Sequence, residues 1–99
     1  MGRLTQPNTS PDLRPTFSVL YEVWTGQGKG QSLQDLSKAL AAHGARMNRH
    51  MLGRFHARSE PKSAHATRQP PLWLLLWLCE QTGRHLELGP DAVLVVARG

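Results

Sequence analysis

Phe17, Leu20, Tyr21 and Trp24 recur at i, i+3, i+4 and i+7, one helical face, which predicts a first helix over Thr16–Thr25. Gly26, Gly28 and Gly30 then break the pattern and predict a flexible loop. Leu33, Leu36, Ala39 and Leu40 form the buried stripe of a second helix, from Leu33 to about His43. Ser32 is suited to cap it, Asp35 complements the dipole of its first turn, and Gly44 ends it. A third, shorter helix is predicted from about Asn48 to Ala57. Asn48 caps it, Met47 staples its entry, Leu52 and Phe55 share its inner face, and Glu60-Pro61 stops it.

Leu72 to about Thr82 predicts a fourth helix, opened by Pro70-Pro71 and closed by Gly83. It is apolar on all sides, so it needs burial nearly all round, and a chain this small has little interior to offer. One side of it is therefore expected to meet a second subunit. His85–Leu88 alternates weakly and Ala92–Ala97 is a β-branched run, with Gly89-Pro90-Asp91 between them; these predict a short hairpin. The expected fold class is mainly α, four or so helices with a short C-terminal β-hairpin or strand. Residues 1–15 are polar and proline-bearing and read as a flexible N-terminal arm; residues 16–99 read as one domain.

Charge adds a location to this outline. The chain of 99 residues carries a net charge of +5, which favours a polyanionic partner. Between His43 and Arg68 lie Arg46, Arg49, Arg54, Arg58, Lys62 and Arg68 against one acid, Glu60; elsewhere basic and acidic residues balance. The whole excess thus lies on and after the third helix. That helix places Leu52 and Phe55 inward and leaves Arg49, His50, Gly53, Arg54 and His56 to face out. Gly53 is costly in a helix interior, and close approach of the backbone to DNA would account for it.

The segment Leu36 to Phe55, containing SKALAAHGARMNRHMLGRF, resembles the helix-turn-helix of small bacterial, phage and plasmid transcriptional regulators. The shared pattern is an alanine-rich helix, a glycine-containing turn, a capping residue, and an apolar residue four positions after the cap. Ser37 stands where that family has a small alanine-like residue. The turn His43-Gly44-Ala45-Arg46 is longer than in the Cro/repressor type and is similar to that of plasmid partition and transposon-related proteins. The Trp/Leu-rich helix resembles the last helix of the repressor-like fold, and the trailing hairpin resembles that of Cro-like dimers. The resemblance is close over this segment and loose elsewhere.

It implies sequence-specific binding to double-stranded DNA by a transcriptional regulator, a repressor, acting as a homodimer on a two-fold-related operator. Carried onto this chain, it implies base contacts from Arg49, His50, Gly53 and Arg54. Arg46, Arg58, Lys62 and Arg68 are placed for phosphates, and Asn48 for capping or a phosphate. Leu72, Trp73, Leu76, Trp77, Val93 and Val95 are the expected dimer interface.

Other classes fit less well. GQGKG lacks the phosphate-loop spacing and does not follow a strand. His43, His50, His56 and Cys79 lack paired zinc-ligand spacing, so no metal or other cofactor is expected. No nucleophile or acid–base pair is recognisable, so the chain reads as no enzyme. The single cysteine fits a reducing cytoplasm, Met1–Thr16 lacks a signal-peptide core, and Leu72–Cys79 is too short to span a bilayer. Two alternatives stay open: non-specific binding to RNA or DNA, and a protein-interaction adaptor using residues 72–78. RNA readers display stacking aromatics; here Phe17, Tyr21, Trp24, Trp73, Trp77 and Phe55 all fall on faces expected to be buried. No small-molecule effector is evident.

Overall fold

The computed structural model describes residues 13–56, 69–90 and 93–97. Among them are four helices, α1 (Arg14–Gly26), α2 (Leu33–His43), α3 (Arg49–Phe55) and α4 (Leu72–Thr82), followed by strands β1 (Arg84–Leu88) and β2 (Val93–Ala97). The fold is mainly helical with a C-terminal antiparallel hairpin, as the pattern predicts. Of the proposed arm, residues 1–15, the part through Asp12 lies outside the described residues, as do Arg58, Lys62 and Arg68, while Arg14 and Pro15 instead open α1, proline being suited to a helix's first turn.

The helix ends follow local chemistry. Ser32 Oγ accepts the Asp35 N–H at 3.2 Å, and the Asp35 carboxylate accepts the Gln31 N–H at 2.8 Å, a reciprocal cap at the start of α2. Gly44 takes φ +99°, its N–H bonds Ala41 O, and the Ala45 N–H bonds Leu40 O at 2.8 Å. This is the paired Schellman closure that favours glycine. The segment after α1 differs from the flexible loop expected of it. Gly28 takes φ +78° and the same two-bond closure ties Gly28 to Thr25 and Lys29 to Trp24. Gly30 lies against the Trp24 ring, so this glycine serves close packing.

Phe17, Leu20, Trp24, Leu36, Leu40, Leu52, Phe55, Leu74, Leu75, Leu78 and Cys79 form one buried core, with all four helices contributing. The Leu13 N–H donates to Gln69 Oε1 at 2.7 Å at one end of the α1–α4 pair, and Gln27 Nε2 donates to Thr82 O at 2.9 Å at the other. The two helices therefore run side by side in the same direction. The hairpin folds back over them: buried Thr16 donates its hydroxyl to Val93 O at 2.9 Å. Leu86 pairs with Val95 across the hairpin, and both pack on the core.

Helix α4 buries one face through Leu74, Leu75, Leu78 and Cys79, while Leu72, Trp73 and Leu76 remain 58%, 46% and 52% exposed. The described residues thus cover only part of a helix whose first eight residues are all apolar. Trp73 corrects the expectation that every aromatic is buried. Of the other residues expected at a dimer interface, Trp77, Val93 and Val95 are half-buried. Trp77 and Val95 pack against the core of their own chain, and Val93 is half-buried at the strand end tied to α1. The large apolar residues exposed on the described part of the hairpin are Leu88 and Leu94.

Candidate nucleic-acid interface

A seven-residue helix is marginal by itself, so α3 must be held by its surroundings. Asn48 Oδ1 accepts the Met51 N–H at 2.8 Å and caps the helix, which bears out the capping role. Ser37 Oγ, from the middle of α2, donates to Met47 O at 2.6 Å and pins the connection between the two helices. The small residue at position 37 therefore has a bonding task as well as a packing one. Inside, Leu52 is fully buried, and Phe55 meets Phe17 edge-on at 6.0 Å between centroids.

The far end of α3 is anchored by His56. Its Nδ1 lies 3.0 Å from Ser18 Oγ, and its ring stands edge-on to Phe17 and Tyr21 at 6.4 and 5.8 Å. This corrects two expectations. His56 does not join the outward face, and the helix ends at Phe55 rather than running to Ala57. His56 leaves helical geometry (ψ 137°) to reach α1, well before Glu60-Pro61 can act as a stop.

With Leu52 and Phe55 inside, the outer arc of α3 runs Arg49, Gly53, His50, Arg54, Met51. All are exposed except half-buried Gly53, and Arg46 is exposed in the connection just before. The structure thus brings the four expected base-contact residues onto one surface. Grooves lie on both sides of it. One is walled by Tyr21, Ser32 and Gln34 against Arg49, Gly53 and Arg54. Another runs from Met51, Arg54 and Phe55 to Gln69 and Pro71, and a third joins Arg46, Asn48 and Met51 to Ser37 and Ala41. Arg54 borders two of the three, and no acidic residue among those described lines any of them. Burial, and secondly the Asp35 carboxylate, hold the Tyr21 hydroxyl beside the first groove above the usual phenol range.

Tyr21, Ser32 and Gln34 escape a reading of the sequence because only the packing of α1 and α2 against α3 brings them to that groove. Met51 escapes it because an apolar residue outside the inner pair belongs to neither face. Its signal is angular: it stands one position from Leu52 and three from Arg54, at the edge of the outer arc.

No described residue gives Gly53 a packing reason to be glycine. A Cβ there would meet only Leu33 Cδ1, at an ordinary 3.8 Å, and its φ is not positive. Among the described residues no three or more His, Cys, Asp or Glu side chains gather where they could hold a metal. No helix among them is long and apolar enough to cross a membrane. Comparison of the chain with protein-family models, with curated proteins and with solved structures found no match.

Proposed function

We propose that this chain is a sequence-specific double-stranded DNA-binding transcriptional regulator, a repressor acting as a homodimer on a two-fold-related operator. The observation that carries the reading is the outer arc of α3: exposed arginines at 49 and 54, Arg46 beside them, and flanking grooves lined by no acid among the described residues. A protruding helix of this kind suits a major groove, whose width admits one helix. In this reading Arg49, His50, Gly53 and Arg54 meet base edges, while Arg46, Arg58, Lys62, Arg68 and the Asn48 amide take phosphates. Duplex DNA is favoured over RNA because the outer arc of α3 displays no Phe, Tyr or Trp for stacking. The reading is of a cytoplasmic binding protein without enzymatic activity or cofactor, in keeping with a single cysteine, Cys79, which is buried.

The dimer part rests on Leu72, Trp73 and Leu76, a contiguous apolar stripe on α4 that the described residues leave exposed. Leu76→Glu is expected to leave the monomer fold intact and to convert a dimer into a monomer by light scattering. Binding to a full two-fold site should fall steeply in that variant while binding to a half-site persists. The same exposed Trp73 also favours the second reading, an adaptor that docks a different protein on α4. A wild-type protein that is monomeric and binds no DNA would support the adaptor instead.

The deciding experiment for the whole reading is selection of bound duplexes from a random pool. An enriched palindrome is the expected result, and its half-site spacing reports the dimer. Failure to enrich any duplex sequence overturns the reading.

Gly53→Ala separates function from folding at this surface. Removing glycine from a helix interior without a clash should stabilise the domain by about 0.5–1 kcal/mol. If the helix backbone lies against bases, the added methyl intrudes there and weakens binding. A higher melting temperature with weaker binding to the selected duplex is the expected pair of results; unchanged binding removes Gly53 from the interface.

A further inference from the structure

We propose that Met51 reads the methyl group of a thymine, next to the guanine taken by Arg54. The inference rests on α3 being the DNA-reading helix and adds a specificity-determining residue to it. Met51 keeps 39% of its surface exposed although it is one of the few apolar side chains on this face. The core does not need it, because Leu52 and Phe55 supply the inner face at 0% and 3% exposure.

Its surroundings are cationic on both sides. Residues three apart on a helix are neighbours, so Met51 adjoins Arg54, and the two border the groove leading to Gln69 and Pro71. On its other flank Met51 shares a groove with Arg46 and Asn48. An apolar protein surface seated on Met51 would cover these arginines without counter-charge, which is costly. The major groove satisfies both features together. Phosphates answer the arginines, and the thymine C5-methyl is the apolar group that base edges present there. The unbranched, polarizable thioether chain of methionine adapts to such a contact.

The test uses the full chain and the duplex enriched by selection. Each thymine of that duplex is replaced in turn by deoxyuridine, which removes the methyl group and keeps the base pair. At one thymine, adjacent to the guanine whose recognition is abolished by Arg54→Ala, the wild type should bind about fourfold more weakly, the worth of one buried methyl. Met51→Ala should bind more weakly than wild type and lose the deoxyuridine effect at that thymine alone. Met51→Leu, which keeps an apolar group, should retain it. Circular dichroism establishes that both variants fold. A selected site without thymine, a site insensitive to every deoxyuridine, or the same sensitivity persisting in Met51→Ala overturns the role of Met51 and leaves DNA binding standing. Failure to enrich any duplex overturns both.

Discussion

Arg54→Ala is expected to weaken binding to the selected duplex by about 5- to 150-fold, the worth of one bidentate arginine–guanine contact at roughly 1–3 kcal/mol. Arg54 is exposed and borders the grooves on both sides of α3, so of the exposed arginines it has the widest reach. Alanine is a better helix former than arginine, and truncation of an exposed side chain leaves the core untouched. The melting temperature should therefore hold while binding falls, and a second selection with the variant should show relaxed preference at one base pair. Arg49→Ala should behave alike at a different base pair. Arg46→Ala makes the contrast: removing a cation from a phosphate weakens binding to all sequences alike and lowers the log–log salt slope by about 0.9. Gel shifts across a salt series measure all three. Unchanged affinity in both Arg49→Ala and Arg54→Ala would remove α3 from the interface.

Gly30→Ala is expected to destabilise the fold by about 1–3 kcal/mol, the usual cost of overpacking a well-filled core. A methyl group at Gly30 would run into Cη2 and Cζ3 of Trp24 and approach Asp35 Cβ to 3.0 Å. Neither neighbour yields readily. Trp24 is 2% exposed and stacks on Tyr21, and Asp35 is held in the cap of α2. For a domain of this size each kcal/mol lowers the melting temperature by roughly 4–8 °C. Gly26→Ala is the control, since nothing lies within 4 Å of a Cβ there and its φ is not positive. It should be neutral or stabilising. Thermal melts followed by circular dichroism, with tryptophan fluorescence reporting on Trp24, check both. A Gly30→Ala protein that melts with the wild type overturns the packing account.

Both predictions rest on features whose legibility in the sequence differs. The arginines are legible because helical angle alone separates Arg49, His50 and Arg54 from Leu52 and Phe55. Gly30 is not: in sequence it resembles Gly26 and Gly28, and only the position of the Trp24 ring distinguishes a glycine needed for space from one needed for φ. His56 misleads for a related reason. A polar residue at the end of a basic helix reads as outward, yet an imidazole can also bond a hydroxyl and pack its edge on rings, and Ser18, Phe17 and Tyr21 offer that on α1. Trp77 and Val95 sit in apolar runs, and runs do not say which side faces the chain's own core.

What the sequence determined by itself was local. The bounds of α2 and α4, the caps at Ser32 and Asn48, the closures at Gly44 and Gly83, the hairpin and the inner pair of α3 all follow from neighbours within a turn or two, where periodicity and backbone chemistry decide the outcome. The tertiary structure decided where α3 ends, what pins it to α1 and α2, which residues wall the grooves beside it, and which part of α4 stays uncovered. Those depend on contacts between residues far apart in the chain, such as Ser18 with His56 and Thr16 with Val93, whose energies no local pattern encodes.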